Sequence, residues 1–242
     1  MTIFGALTRE LPEYDYIYFG DTKNAPYGEK TPDEIIELTC AGANFLFSKG
    51  ATLVILGCNT ASAVALRHLQ QEWLPKQHPD KQVLGIVVPT IEQITGAHWS
   101  HTSPITTPIS EDAFVVGVLA TPVTVESQAY PHEIHKRNKS IQVVQQACPG
   151  LADAIEREDT KEIARLIQLY VKELLQKAPN VQAVLLGCTH YELVSDQISK
   201  QLGSKIRLYH QPGIVAESLK EYLGRHEEIQ KGITATGKRV FY

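Results

Sequence analysis

Short β-rich runs alternate along this chain with longer helical patterns, and no other feature of the sequence restricts its fold as strongly. Runs that are typical of buried strands occur at 16–19, 52–56, 83–88, 114–119, 141–144 and 183–186. Helical patterns fill the intervals between them. Strands that alternate with helices form parallel βαβ units with right-handed crossovers. The sequence therefore predicts an α/β fold that is built on parallel sheet.

Two of the predicted helices are well marked in the sequence. Thr31, Pro32 and Glu34 supply an N-cap, a first-turn proline and the acid of a capping box, and Gly50 ends this helix. A second helix, over 160–178, carries an apolar stripe of the kind that packs on a sheet. The stripe consists of Ile163, Leu166, Ile167, Tyr170 and Leu174.

The composition excludes several classes of protein. The 242 residues are 43% hydrophobic and 21% charged, which fits a globular chain with one compact body or two smaller lobes. A formal charge of −4 without a basic run gives no support for binding to a nucleic-acid backbone. The most apolar stretches, 52–56 and 113–125, are far shorter than the roughly 20 residues of a membrane-spanning helix. Neither nucleic acid nor a membrane is expected as a partner.

The start of the chain predicts a location in the cytoplasm, where the cysteines are expected to be reduced. Residues 1–10 lack the basic region and apolar core of a secretory signal. The four cysteines include no Cys-x-x-Cys pair, so we expect free thiols rather than a zinc knuckle or a dense disulfide framework.

Two histidine pairs and one polar segment are predicted to lie at the protein surface or between lobes. The histidine pairs His98/His101 and His132/His135 have no convincing set of neighbouring ligands, and such pairs are more often solvated than metal-bound. No metal site is therefore predicted. The segment 96–110, rich in Ser, Thr, Pro and His, is predicted to be a junction between lobes or a surface insertion.

A strand–Gly–Cys motif occurs once in each half of the sequence. Residues 54–60 read Val-Ile-Leu-Gly-Cys-Asn-Thr, and residues 184–190 read Val-Leu-Leu-Gly-Cys-Thr-His. Each copy ends a predicted strand and precedes a helical pattern, at 61–74 or 191–202. Ligands of open α/β sheets bind at such strand ends. A cysteine beside a helix N-terminus gains thiolate character, and the N–H groups and hydroxyls that follow can hold a carboxylate. Cys58 and Cys188 are therefore candidate bases, each beside an anion site.

Two equivalent thiols suit one reaction in particular. Racemisation by proton transfer needs one group to remove the α-proton and another to deliver a proton to the opposite face. Either cysteine alone is readily explained as packing, but the duplication favours function. A cysteine protease would leave the second copy unexplained, and a disulfide oxidoreductase would normally carry Cys-x-x-Cys. A two-base racemase accounts for both copies.

Five motifs follow one another in order along nearly the whole chain. They are Tyr18-Phe19-Gly20-Asp21-Thr22 with Pro26-Tyr27-Gly28, Cys58-Asn59-Thr60-Ala61-Ser62-Ala63, Gly117-Val118-Leu119-Ala120-Thr121 with Thr124, Ala147-Cys148-Pro149, and Gly187-Cys188-Thr189-His190-Tyr191. With these motifs the chain resembles the glutamate racemases of the cofactor-independent aspartate/glutamate racemase superfamily. Aspartate and hydantoin racemases share the outline, but the Pro-Tyr-Gly loop and the Cys-Thr-His-Tyr ending are more similar to the glutamate enzymes.

The resemblance implies roles for residues of both halves. Cys58 and Cys188 would be the acid/base residues, with His190 assisting Cys188 and Glu156 as the neighbouring carboxylate. A structural histidine and a surface glutamate are the alternatives for His190 and Glu156. The residues implied to hold the substrate are Pro26, Tyr27 and Gly28 at a carboxylate, and Asn59, Thr60 and Thr189 at the α-amino and α-carboxyl groups.

Thr121 and Thr124 are open to two interpretations. They either line the substrate pocket, as the resemblance implies, or cap the helix that follows them.

The resemblance also implies an architecture and a biological role. Two similar α/β lobes related by a pseudo-twofold axis would hold the active site in the cleft between them. Residues 1–90 with 212–242 would form the first lobe, and residues 91–211 the second. Such an enzyme supplies D-glutamate for bacterial peptidoglycan, without a metal, flavin or pyridoxal phosphate. Its partner is the small-molecule substrate glutamate, and a homodimer is its candidate assembly.

The sequence departs from the family pattern at several points. The family begins with a strand and an Asp-Ser-Gly-x-Gly-Gly loop, whereas residues 1–7 resemble the helix that follows that loop, and residues 238–242 stop inside what resembles a closing strand. Glu192 replaces the usual proline, and residues 212–215 lack the usual Asp-Ser dipeptide. Two alternatives therefore stay open: an aspartate or other amino-acid racemase, and a truncated, inactive racemase-like binding protein.

Overall fold

The computed structural model describes residues 1–97 and 114–242 and divides the chain into two compact units. Unit 1 comprises Met1–Ile86 and Gln211–Tyr242, and unit 2 comprises Val87–His210. The chain therefore enters unit 2 after Ile86 and returns to unit 1 after His210. The His98/His101 pair and most of the predicted loop at 96–110 lie outside the described residues.

The strands and helices follow the predicted alternation. The strands are β1 (Tyr16–Tyr18), β2 (Leu53–Leu56), β3 (Gln82–Gly85), β4 (Phe114–Ala120), β5 (Ile141–Ala147), β6 (Ala183–Gly187), β7 (Arg207–Tyr209) and β8 (Arg239–Phe241). The α-helices are α1 (Thr2–Glu10), α2 (Pro32–Ser48), α3 (Asn59–Val64), α4 (Leu66–His68), α5 (Leu74–Gln77), α6 (Val87–Thr95), α7 (Pro122–Glu126), α8 (Ala129–Arg137), α9 (Leu151–Glu156), α10 (Thr160–Lys177), α11 (Ser195–Leu202), α12 (Gln211–Arg225) and α13 (Glu227–Lys231). Short 3₁₀ helices span Thr22–Asn24, Tyr27–Glu29 and Tyr191–Val194, and a π-helix spans Leu69–Trp73. Across the described residues, no helix has both the length and the apolar character needed to cross a membrane.

Unit 1 is built around a core that α1 and α12 share. In this unit β1 pairs in parallel with β8, and β2 pairs in parallel with β3. Burial of apolar surface between the two helices and these strands holds the unit together. The buried residues of the core include Ile3, Leu7, Ile86, Val215 and Leu219, and side chains of β1, β2 and β3 pack against them.

Unit 2 contains a four-stranded sheet in the order β5-β4-β6-β7. All of its strand pairs are parallel, so their carboxyl ends meet at one edge. In this register Ala120 pairs with Ala147 on one side and with Gly187 on the other. Thr121, Cys148 and Cys188 therefore follow the ends of three adjacent strands. Helix α10 packs on β5 with the predicted apolar stripe buried, and the predicted parallel α/β class is confirmed.

The predicted helix limits at Thr31 and Gly50 are confirmed. Thr31 Oγ1 accepts a hydrogen bond from the Glu34 N–H, and the Thr31 N–H donates to Glu34 Oε2, so both bonds of the capping box form. The helix runs to Ser48, and Gly50 adopts a positive φ of 98°, which a residue without Cβ tolerates.

The predicted strand at 83–88 is wrong at its carboxyl end. The strand β3 stops at Gly85, and α6 begins at Val87. The Ile86 N–H donates to Ser62 Oγ instead of continuing a strand ladder, and Pro89 occupies the first turn of α6, where its missing N–H costs nothing. The helical pattern at 61–74 also differs, because the helix already begins at Asn59 and passes through the π-helix.

Candidate active site

Cys58 lies at the start of α3, directly beyond the end of β2. The N–H groups of Ala61 and Thr60 and the Thr60 hydroxyl favour the charged form of its thiol, as a helix N-terminus does. Burial has the larger effect and raises the pKa of Cys58 above its ordinary value, and these neighbouring groups offset only part of the rise. The predicted gain of thiolate character is therefore wrong for Cys58, because burial outweighs the effect of the helix N-terminus on its pKa.

Asn59 follows Cys58 and makes a reciprocal pair of hydrogen bonds with Gln211. Asn59 Nδ2 donates to Gln211 Oε1 over 2.6 Å, and Gln211 Nε2 donates to Asn59 Oδ1 over 3.0 Å. Both side chains are buried. Gln211 was not among the predicted site residues, because it lies 152 residues away in sequence and belongs to no motif.

The Pro-Tyr-Gly loop contacts α3 from a neighbouring part of unit 1. Pro26 follows a cis peptide bond, Tyr27 opens a 3₁₀ turn, and Gly28 is buried. The Tyr27 hydroxyl donates to Asp21 Oδ2 over 2.7 Å. Burial has the largest effect on the pKa of the Tyr27 phenol and raises it, and the hydrogen bond to Asp21 raises it further. The phenol therefore keeps its proton. Asp21 also accepts hydrogen bonds from Asn24 and was quoted only as part of a motif.

Cys188, His190 and Glu156 lie together in unit 2. The Sγ atom of Cys188 is 3.6 Å from Nδ1 of His190, and Nε2 of His190 forms a short hydrogen bond with Oε1 of Glu156. When Nε2 carries the proton toward the carboxylate, Nδ1 presents a lone pair to the thiol. The arrangement can therefore accept the Cys188 proton. The Glu156 side chain is 64% exposed, so it is a surface residue that nevertheless contacts the histidine.

Thr121 and Thr124 follow β4, the strand that pairs with β6. Their hydroxyl oxygens are 3.0 Å apart, and both residues are buried. Thr121 occupies the N-cap position of α7, but its side chain makes no capping hydrogen bond. Helix capping by Thr121 is therefore wrong as an explanation, and lining of a pocket stays a prediction.

Three other residues complete the surroundings of Cys188. Thr189 is half-buried between Cys188 and His190. Cys148 is buried, which raises the pKa of its thiol, and Tyr191 donates a hydrogen bond to its carbonyl oxygen over 3.3 Å. These contacts join the ends of β5 and β6.

Glu192, which replaces the usual proline, has a buried side chain that contacts a histidine. Its side chain is only 7% exposed, and its Oε2 lies 2.9 Å from Nδ1 of His210. A carboxylate is tolerated there because a polar partner compensates for its burial.

One histidine of the His132/His135 pair contacts the backbone of β5. His135 Nε2 bonds with the Ile141 carbonyl oxygen. Within residues 1–97 and 114–242, no group of three or more His, Cys, Asp or Glu side chains is arranged to hold a metal ion.

The chain belongs to the Asp/Glu/hydantoin racemase family, whose model matches residues 4–218. One similar protein is the glutamate racemase of Paracoccus denitrificans (strain Pd 1222). It is 43% identical over 95% of this chain and 83% of its own length. The glutamate racemase of Roseobacter denitrificans (strain ATCC 33942 / OCh 114) is 42% identical over 100% of this chain and 86% of its own.

Solved structures agree with these relationships. Glutamate racemase from Francisella tularensis subsp. tularensis SCHU S4, crystallised with D-glutamate, gives a TM-score of 0.79 at 29% identity and covers 100% of this chain and 82% of that chain. The isoform RacE1 from Bacillus anthracis gives a TM-score of 0.81 at 24% identity, with coverage of 99% and 82%, and shows the shared fold.

Proposed function

We propose that this protein interconverts L- and D-glutamate by two-base proton transfer. The observation that carries the proposal is the repeated strand–Gly–Cys motif, which gives each unit one cysteine with proton-transfer partners beside it. Membership of the racemase family and relatives named glutamate racemase support the reaction and the substrate.

The two cysteines have different surroundings, which suggests how a cycle begins. His190 accepts the Cys188 proton on Nδ1, and the resulting thiolate removes the α-proton of the substrate. Cys58, whose thiol form is favoured, delivers its proton to the opposite face of the carbanion. The N–H groups of Thr60 and Ala61 and the Thr60 hydroxyl then stabilise the Cys58 thiolate. The opposite conversion reverses these steps, and exchange of protons with solvent between turnovers neutralises His190 and returns a proton to Cys58.

Recognition of the substrate is assigned to the motifs that surround these thiols. Polar groups must stabilise the carbanionic transition state, because an amino-acid α-proton is very weakly acidic. Both transfer groups are side chains, so the proposed mechanism employs no metal, flavin or pyridoxal phosphate. The residues proposed to line the substrate site are Pro26, Tyr27, Gly28, Asn59, Thr60, Thr121, Thr124 and Thr189.

The proposed cellular role follows from the product. D-glutamate is a component of bacterial peptidoglycan, and we place its synthesis by this enzyme in the cytoplasm. A homodimer is the proposed assembly, which the mass of the purified protein in solution tests.

Racemisation is tested on purified protein with each enantiomer of glutamate. We expect the circular dichroism signal to decay to zero from either L- or D-glutamate, at a rate that added pyridoxal phosphate does not change. L-aspartate serves as the competing substrate. Equal turnover of aspartate, or a strict requirement for pyridoxal phosphate, would contradict the proposal.

Substitution Glu156→Gln should weaken the Cys188 half of the mechanism. Glutamine still accepts a hydrogen bond from His190 but no longer stabilises the imidazolium that forms when His190 takes a proton. We expect kcat/KM to fall about tenfold. The fall must be equal in both directions, because the equilibrium constant between enantiomers is one.

A one-base reaction distinguishes this role from a structural one. With 3-chloroglutamate, which loses HCl after removal of the α-proton, Glu156→Gln should slow elimination from one enantiomer and leave the other unchanged. Glu162→Gln, which removes an exposed ion pair with Arg165, is the control and should affect neither. Equal slowing of both enantiomers would exclude a role specific to Cys188.

A further inference from the structure

The buried amide pair between Asn59 and Gln211 joins the Cys58 motif to a distant part of unit 1. Asn59 is the first residue of α3, and Gln211 is the first residue of α12. Their relative exposures are 2% and 0%. Residue 59 thus reaches a partner in the segment by which the chain returns to unit 1.

Reciprocal pairing fixes which end of the Asn59 amide points in which direction. An asparagine amide carries an acceptor oxygen and a donor nitrogen, and its terminal torsion has two broad, nearly equivalent wells. In the observed pair each nitrogen faces the oxygen of the other amide. If the Asn59 amide alone turned over, oxygen would face oxygen and nitrogen would face nitrogen. Buried amides strongly disfavour such a mismatch.

Gln211 is itself held by the core of unit 1. Helix α12 packs along α1, and Val215, Ala216 and Leu219 of α12 are buried in the core they share. A side chain on a packed helix keeps a position more closely than one on a loop. Gln211 is therefore suited to impose an orientation on Asn59.

We infer that Gln211 is a positioning residue, which acts through Asn59 to orient the substrate beside Cys58. This inference rests on the proposed function, in which Asn59 contacts the substrate. Because Asn59 directly follows Cys58, a turned or mobile amide would move the bound substrate relative to the thiol. Loss of Gln211 should therefore weaken productive binding more than it slows the chemical step.

The kinetic test replaces Gln211 by methionine, which has a similar length and no amide. We expect KM for glutamate to rise about tenfold with a smaller change in kcat. A merely structural role would reduce the amount of active enzyme and leave KM unchanged. Gln230→Met is the matched control, because Gln230 also lies in unit 1 and donates to a side-chain oxygen, that of Tyr14, over 2.7 Å.

A double-mutant cycle tests the connection to Asn59. In an Asn59→Ala background, Gln211→Met should have little further effect on KM, because the amide that it positions is already absent. Gln211→Asn provides a second variant should methionine prevent folding. It keeps an amide in the same place but is one methylene too short to pair, so the same rise in KM is expected.

The outcomes separate this inference from the function on which it rests. Racemisation by the wild-type protein together with an unchanged KM in Gln211→Met and Gln211→Asn would overturn the inference alone. Full additivity with Asn59→Ala would do the same. A wild-type protein that does not racemise glutamate would overturn the proposed function, and the inference with it.

Discussion

Replacing either Cys58 or Cys188 by serine is expected to abolish racemisation, with a fall in kcat/KM of about 10³-fold or more. A serine hydroxyl holds its proton far more tightly than a thiol, so it can neither remove nor return the α-proton at a useful rate. Both variants should fold, because serine is slightly smaller and the thiols lie at strand ends. Circular dichroism with each glutamate enantiomer measures the loss, and thermal unfolding confirms the fold.

Elimination from 3-chloroglutamate shows which face each thiol serves. The reaction needs removal of the α-proton and departure of chloride but no second proton donor. Each single variant should therefore still process one enantiomer, and the two variants should prefer opposite ones. The double variant should process neither.

The matched control for both variants is Cys40→Ser. Cys40 is a free, half-buried cysteine within α2, and it belongs to neither motif. Its substitution should leave racemisation and elimination unchanged. The two-face mechanism is wrong if Cys58→Ser and Cys188→Ser process the same enantiomer.

Local sequence signals predicted those parts of the fold that depend on local chemistry. The capping box at Thr31 and the stop at Gly50 formed as expected, because their hydrogen bonds and dihedral angle involve residues close in sequence. The apolar stripe of α10 was also predictable, because its residues recur at the spacing of an α-helix. The strand β7 was missed because it has only three residues and begins with an exposed arginine, which leaves no apolar run to detect.

The proposed catalytic cluster of unit 2, formed by Cys188, His190 and Glu156, was predictable only with help from the family resemblance. His190 stands two residues after Cys188, so its proximity follows from the chain itself. Glu156 lies 34 residues from His190 at the end of a short helix, and no local pattern connects the two. The contact exists because α9 packs against the 3₁₀ helix Tyr191–Val194.

The hydrogen-bond partners of Asn59 and Tyr27 could not be predicted from the sequence. Gln211 reaches Asn59 through tertiary packing across 152 residues of sequence. Asp21 reaches Tyr27 within one loop, six residues away, and no spacing rule predicts that contact. The thiol pKa of Cys58 failed as a prediction for a related reason. A helix N-terminus can be predicted from sequence, whereas the burial that outweighs it depends on tertiary structure.

Replacing Gly187 by a residue with a side chain is expected to lower the free energy of unfolding of unit 2. Gly187 ends β6 in the interior of the four-stranded sheet, opposite Ala120 of β4. A Cβ atom there would stand 3.0 Å from Ala120 Cβ and 3.1 Å from the Leu119 carbonyl oxygen. Backbone atoms of a central strand cannot move away as a flexible side chain can, so the clash must be absorbed by the sheet.

Gly187→Ala should therefore cost about 1–3 kcal/mol of the free energy of unfolding, and Gly187→Val more. At about 2–4 °C per kcal/mol for a chain of this length, this corresponds to a fall in Tm of about 2–12 °C for the alanine variant. Activity should fall as well, because displacement of β6 moves Cys188 and His190 together relative to Glu156, which lies on α9. Gly5→Ala is the control: a Cβ at Gly5 has nothing within 4 Å, and alanine within α1 should raise stability slightly. Differential scanning calorimetry compares the variants, and a Gly187→Ala protein that melts at or above the wild-type temperature would show that the strands do not approach this closely.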